Sequence, residues 1–147
     1  MKNQIISRMK GLALETIRLV RSLPRTDAGN VLGKQLLRSA TSIGANYRSA
    51  CKASSRADFV AKIAIAEEEA DETQYWLELL FESGVIREEA FSPLHDEAKQ
   101  LTAILASSGK TAKGTSRTRN HEGQSEIPIL ERPESSSSQL AIRSNRY

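Results

Sequence analysis

Apolar residues recur at helical spacing through the first hundred residues of the chain. Between residues 3 and 22 the stripe alternates intervals of four and three, which places its members on one face of a helix. These positions are Ile5, Met9, Leu12, Thr16, Leu19 and Leu23. Pro24 ends the pattern, and either Thr26 or Asp27 is placed to cap a second helix.

Two more helices follow the same rule. The second is predicted to continue to about residue 53, and the third to begin at a cap on Ser54 or Ser55. Gly84 marks the end of the third helix, in the left-handed conformation typical of a helix terminus. The predicted buried positions are Leu36, Ala40, Ile43, Tyr47 and Ala50 on the second helix, and Phe59, Ile63, Ala66, Ala70, Thr73, Leu77 and Leu80 on the third.

A fourth helix is predicted from about residue 87 to residue 107. Proline is tolerated only near a helix start, so Pro93 leaves open a start near Ser92 instead. The predicted buried positions are Phe91, Leu94, Ala98, Leu101, Ile104 and Leu105.

The linkers between these helices are only a few residues long, which makes consecutive helices antiparallel neighbours. The pattern therefore predicts an all-α fold, an up-down-up-down four-helix bundle over residues 1–107. After residue 107 serine, threonine, glycine and arginine replace most apolar residues. Residues 108–147 are accordingly predicted to be a disordered C-terminal tail.

The net charge of +3 hides a strong asymmetry along the chain. Residues 1–56 carry eleven Lys or Arg and two acids, a net charge of +9. Residues 57–107 carry three Lys or Arg and twelve acids, a net charge of −9. Asymmetry on this scale indicates partners, either within the molecule or outside it.

The carboxylates of the acidic half do not form a motif for catalysis or metal binding. Di-iron bundles use Glu-x-x-His on two helices, and no glutamate of this chain stands three residues before a histidine. Cys51 lies near Arg48 and Lys52, which favour a thiolate, but no histidine base can be assigned to it. We expect a protein that is not an enzyme, with no catalytic residue, no metal and no cofactor.

The single cysteine favours a reducing compartment, since it excludes an intramolecular disulfide. Arg8 and Lys10 interrupt the apolar residues of the amino-terminal segment, unlike a secretory signal, and no run of 18 apolar residues occurs. We expect a cytoplasmic protein that does not associate with membranes.

The second and third helices carry a specific pattern of residues. Arg38, Ser42, Ile43 and Asn46 spell R-x-x-x-S-I-x-x-N, and Ser55, Asp58, Phe59 and Glu72 follow. With these residues, the stretch 37–86 resembles the four-helix-bundle family named after proteins encoded in 23S rRNA intervening sequences. The chain departs from most members at Ser49 and Ala50, where they have Glu-Gly.

The resemblance implies an up-and-down bundle that assembles into a ring-like homopentamer. Relatives include an accessory protein of diversity-generating retroelements, which binds nucleic acid and a reverse transcriptase through a basic surface. No enzymatic activity is established for the family. The resemblance also implies a structural polar pair between Asn46 and Glu72.

Two functions stay open from the sequence. In the first, the bundle self-associates and binds RNA or DNA through its basic half, with a reverse transcriptase-like or other protein as a further partner. The candidate nucleic-acid contacts are Arg8, Lys10, Arg18, Arg38, Arg48, Lys52 and Arg56. In the second, the acidic half of one protomer docks on the basic half of the next, and nucleic acid plays no part.

Overall fold

The computed structural model describes residues 1–117, with side chains through residue 114, and contains four helices in that range. Helix α1 spans Lys2–Ser22, α2 Asp27–Cys51, α3 Arg56–Glu82 and α4 Glu88–Arg117. Helix α1 packs against α2 and α4, and α3 packs against the same two helices. The predicted all-α, up-and-down four-helix bundle is confirmed.

The helix ends follow the local sequence signals. The Gly29 N–H donates to Thr26 Oγ1 at 3.1 Å, and the Asp58 N–H donates to Ser55 Oγ at 3.1 Å. These bonds satisfy amides that have no partner inside the helix. Gly84 has a φ of +80°, as a left-handed terminus requires. The alternative start of α4 near Ser92 is wrong, since the helix begins at Glu88 and includes Pro93.

Helix α4 continues to Arg117, beyond the predicted end of the bundle, so the predicted disorder is wrong for residues 108–114. The reason is that α3 still offers a surface there: a Cβ on Gly109 would lie 3.6 Å from Ile63 Cγ2. The remainder of the predicted tail, residues 118–147, lies outside the described residues.

The core consists of two apolar clusters separated by a layer of hydroxyls. One cluster includes Met9, Ile43, Ile63, Leu101 and Leu105, and the other includes Leu36, Leu77, Leu80 and Ile86. Between them lie the fully buried side chains of Thr16, Ser39 and Thr73. The Thr73 hydroxyl is 3.0 Å from Ser39 Oγ, which ties α3 to α2 at this level. The stripes predicted from periodicity therefore supply the core.

Candidate functional site

The exposed face of α2 is basic along most of its length. Its outward positions alternate intervals of four and three, which is one face of a helix. They are Lys34, Arg38, Thr41, Ala45 and Arg48, followed by Lys52 at the C-cap, and all are exposed. The four cations, here called the basic stripe of α2, extend over about 27 Å, since each helical residue rises about 1.5 Å. No carboxylate interrupts them on that face.

Within residues 1–117, Arg38 is the one member of this stripe that forms an ion pair. Its guanidinium lies between two carboxylates of α3, with Nη1 3.2 Å from Glu69 Oε2 and Nη2 paired with Glu72. Trp76 Nε1 donates to the same Glu72 at 3.1 Å. The hydrogen bond to Glu72 is the main cause that raises the pKa of Arg38 above its ordinary value. Arg38 thus links α2 to α3.

Two of the predicted contacts on α1 are also engaged. Arg8 Nε donates to Glu97 Oε1 at 2.7 Å and Arg8 Nη2 to Gln100 Oε1 at 2.9 Å, which joins α1 to α4. The hydrogen bond to Glu97 raises the pKa of Arg8. Arg18 pairs with Glu15 on its own helix. Lys10 is exposed on α1 and has no ion-pair partner within residues 1–117.

The other three predicted contacts, Arg48, Lys52 and Arg56, lie at one end of the bundle. They are exposed and make no ion pair with any residue in 1–117. In this antiparallel arrangement, the end of α2, the start of α3 and the end of α4 come to the same end of the molecule. The nearby carboxylate of Asp58 is bonded to Lys62 at 3.0 Å. This end therefore concentrates positive charge.

Helix α4 adds two lysines that the sequence prediction missed. Lys110 and Lys113 are exposed near the end of α4, and the prediction excluded them because it ended the helix at residue 107. Two signals in the sequence indicate a basic helix face here. The lysines are three residues apart, and no acid occurs between Glu97 and Glu122. Together, Arg48, Lys52, Arg56, Lys110 and Lys113 are here called the basic end.

The structure does not pair Asn46 with Glu72. Asn46 Nδ2 donates to the Ser42 carbonyl at 2.8 Å, while Glu72 receives Arg38 and Trp76. Because α2 and α3 are antiparallel, Arg38 is the residue level with Glu72, and Asn46 lies two turns further along α2. The predicted polar pair is thus wrong. The contacts at that level are made by Arg38 and by the Ser39–Thr73 hydroxyls.

The outward face of α3 has the opposite charge. Glu68, Asp71 and Glu82 lie on it with Tyr75, whose side chain is 53% exposed. These three carboxylates are here called the acidic stripe of α3. One molecule thus presents a basic stripe and an acidic stripe on two adjacent helices.

A groove separates α1 from α4. It has a volume of about 710 Å³ and is lined by apolar residues, among them Leu14, Leu19 and Leu94, and by charged residues of both signs. Leu14 is 44% exposed there. The Arg8–Glu97 pair crosses between the two helices beside this groove.

The side chains that could bind a metal or take part in catalysis are dispersed or engaged in packing. Within residues 1–117, no three His, Cys, Asp or Glu side chains come together as metal ligands would. Cys51 is half-buried beside Tyr47, and burial, followed by the neighbouring thiol, raises the pKa of the Tyr47 hydroxyl. His95 Nε2 lies 3.5 Å from Glu78 Oε2, and its ring packs on Phe91. None of the helices described is long and apolar enough to span a bilayer.

The fold and the surface charges place the protein in the class of up-and-down four-helix bundles, with basic and acidic residues on different helices. The chain belongs to the family described as 23S rRNA-intervening sequence protein, whose sequence profile matches residues 1–107. It is also similar to a crystallised protein of unknown function from the S23 ribosomal protein family of Bacteroides thetaiotaomicron VPI-5482. Identity is 39%, with a TM-score of 0.68, and the match covers 72% of this chain and 98% of that one. No curated protein matches the chain.

Proposed function

We propose that this protein is a non-catalytic bundle that self-associates and binds RNA or DNA through the basic stripe of α2 and the adjoining Arg56. The observation that carries the proposal is the continuous exposed face on which Lys34, Arg48 and Lys52 have no ion-pair partner within residues 1–117. Cations on a straight helix face are suited to the regularly spaced phosphates of a nucleic acid. A rigid helix holds them there without further ordering.

Binding of this kind is expected to depend little on base sequence. The stripe carries no aromatic side chain on which bases stack, and its middle positions are Thr41 and Ala45. Affinity then comes from counterion release and falls steeply with salt. The Arg38 contribution is expected to be smaller than that of Arg48, since Arg38 is already engaged by two carboxylates.

The test is filter binding of labelled RNA and DNA at about 50 mM salt, where electrostatic binding is strong. The double variant Arg48→Gln with Lys52→Gln is expected to lose most of the retention. The matched control is Arg25→Gln with Arg87→Gln, which removes two exposed charges from the opposite end of the bundle. Absence of retention by the unmodified protein would overturn the proposal.

A second candidate is an assembly subunit without a nucleic-acid role, in which the acidic stripe of α3 docks on the basic stripe of α2 of the next protomer. The adjacent, oppositely charged stripes favour it, as does the exposed Tyr75, since aromatic residues are common at interfaces. By similarity to the family, the assembly would be a homopentamer.

The Arg48→Gln, Lys52→Gln variant separates the two candidates when light scattering is measured on the same samples. Loss of retention with an unchanged mass favours the nucleic-acid site. A lower mass favours the interface between protomers. Arg38 is unsuitable for this test, because its replacement also removes the contact with Glu69 and Glu72 inside the subunit.

A further inference from the structure

The last ten described residues of α4 lie beyond the part of the chain that matches the family. The family profile ends at residue 107, whereas α4 continues to Arg117. Residues 108–117, here called the α4 extension, contain two glycines and several serines and threonines, which are poor helix formers. Helical propensity therefore does not account for this segment, which begins close to α3, where a Cβ on Gly109 would lie 3.6 Å from Ile63 Cγ2.

The extension is basic on one side. Lys110 and Lys113 are exposed and spaced three residues apart, which places them on one helix face. The segment contains no acid. Because α4 is antiparallel to α3, this face reaches the level of Arg56, where α3 begins. The extension thus brings cations from a third helix to the end of the molecule where the basic stripe of α2 finishes.

We propose that the α4 extension is an additional phosphate-binding surface of this protein, which lengthens the contact with a nucleic acid beyond α2. This inference rests on the proposed function. It assigns a role to residues that the family fold does not include. The partner recognised is the sugar-phosphate backbone of a duplex, because a patch of lysines without stacking aromatics contacts phosphates and leaves single-stranded bases without a platform.

The experiment measures how the affinity of the full chain for a mixed-sequence DNA duplex of about 20 base pairs changes with salt concentration. In the double variant Lys110→Gln with Lys113→Gln, the slope of log affinity against log salt is expected to become shallower by about 1.8, because each phosphate contact contributes about 0.9. Lys110→Gln alone is expected to give about half of that change. Circular dichroism establishes that the variants are folded.

Two controls distinguish a phosphate contact from a structural effect. Arg87→Gln with Lys99→Gln removes the same charge from the other half of the α4 region and is expected to leave the slope unchanged. Lys110→Arg with Lys113→Arg keeps the charge and is expected to keep the slope. If the unmodified chain binds but the glutamine double variant has the same slope, the extension has no such role, while the proposed function stands. If the unmodified chain does not bind at all, both proposals fail.

Discussion

Thr16 carries a buried hydroxyl that is not satisfied. The side chain is fully buried in α1, and Oγ1 has no hydrogen-bond partner within residues 1–117. A buried polar group without a partner costs about 1–3 kcal/mol relative to its solvated state. We expect Thr16→Val, which keeps the shape and removes the hydroxyl, to raise the free energy of unfolding by about 1 kcal/mol in urea titrations.

Thr73 provides the matched comparison in the same layer. Its hydroxyl lies 3.0 Å from Ser39 Oγ and 2.8 Å from the Glu69 carbonyl. Thr73→Val therefore removes bonds as well as a polar atom, and is expected to lower the free energy of unfolding by about 1 kcal/mol. The two substitutions are chemically identical, so an equal effect of both would show that hydrogen bonding in this layer is unimportant.

Gly29 is required by a close approach of the backbone at the turn between α1 and α2. A Cβ at this position would lie 2.3 Å from the Pro24 carbonyl oxygen, which cannot move as a flexible side chain does. Gly29→Ala is expected to destabilise the protein by about 1–3 kcal/mol in thermal or urea unfolding. Gly11→Ala is the control: nothing lies within 4 Å of its Cβ, so alanine there is expected to stabilise α1 by up to about 1 kcal/mol.

At the level of elements, the contact between α2 and α3 depends more on its apolar core than on its charges. The Arg38 and Glu72 side chains are 48% and 35% exposed, so solvent screens their attraction. Leu77 is fully buried in the same interface region. We expect Arg38→Gln to cost less than about 1 kcal/mol and Leu77→Ala about 2–5 kcal/mol of unfolding free energy. A larger loss for Arg38→Gln would show that charge dominates the packing of these helices.

The elements whose signals are local were predictable from the sequence. The caps at Thr26 and Ser55 and the left-handed Gly84 follow from neighbouring residues, and the stripe of α3 follows from its period. The end of α4 was not predictable, because residues 108–117 have little helical propensity and depend on contact with α3. The predicted pairing of Asn46 with Glu72 was wrong for a similar reason. The two residues lie on facing helices, but the register of α2 against α3 separates them by two turns.

At the scale of the whole molecule, the proposed self-association would follow from the separation of the charges. A twofold interface centred on α2 would bring the basic stripe of one subunit against the same stripe of its copy, and the two would repel each other. Contact between the stripe of α2 and the acidic stripe of α3 of another subunit is attractive instead. Such a head-to-tail contact uses two different surfaces of each subunit, and it closes into a ring when the rotation per subunit permits.

A mixing experiment tests this head-to-tail arrangement. One variant reverses α2 with Arg48→Glu and Lys52→Glu, and the other reverses α3 with Asp71→Lys and Glu82→Lys. In either variant alone, every head-to-tail contact places like charges against each other. Its assemblies are therefore expected to have a lower mass than those of the unmodified protein in native mass spectrometry. When the two variants are mixed in equal amounts, each subunit attracts only subunits of the other variant. We therefore expect open chains, or rings with an even number of subunits. A ring of five cannot alternate throughout, and a pentamer in the mixture would contradict the arrangement.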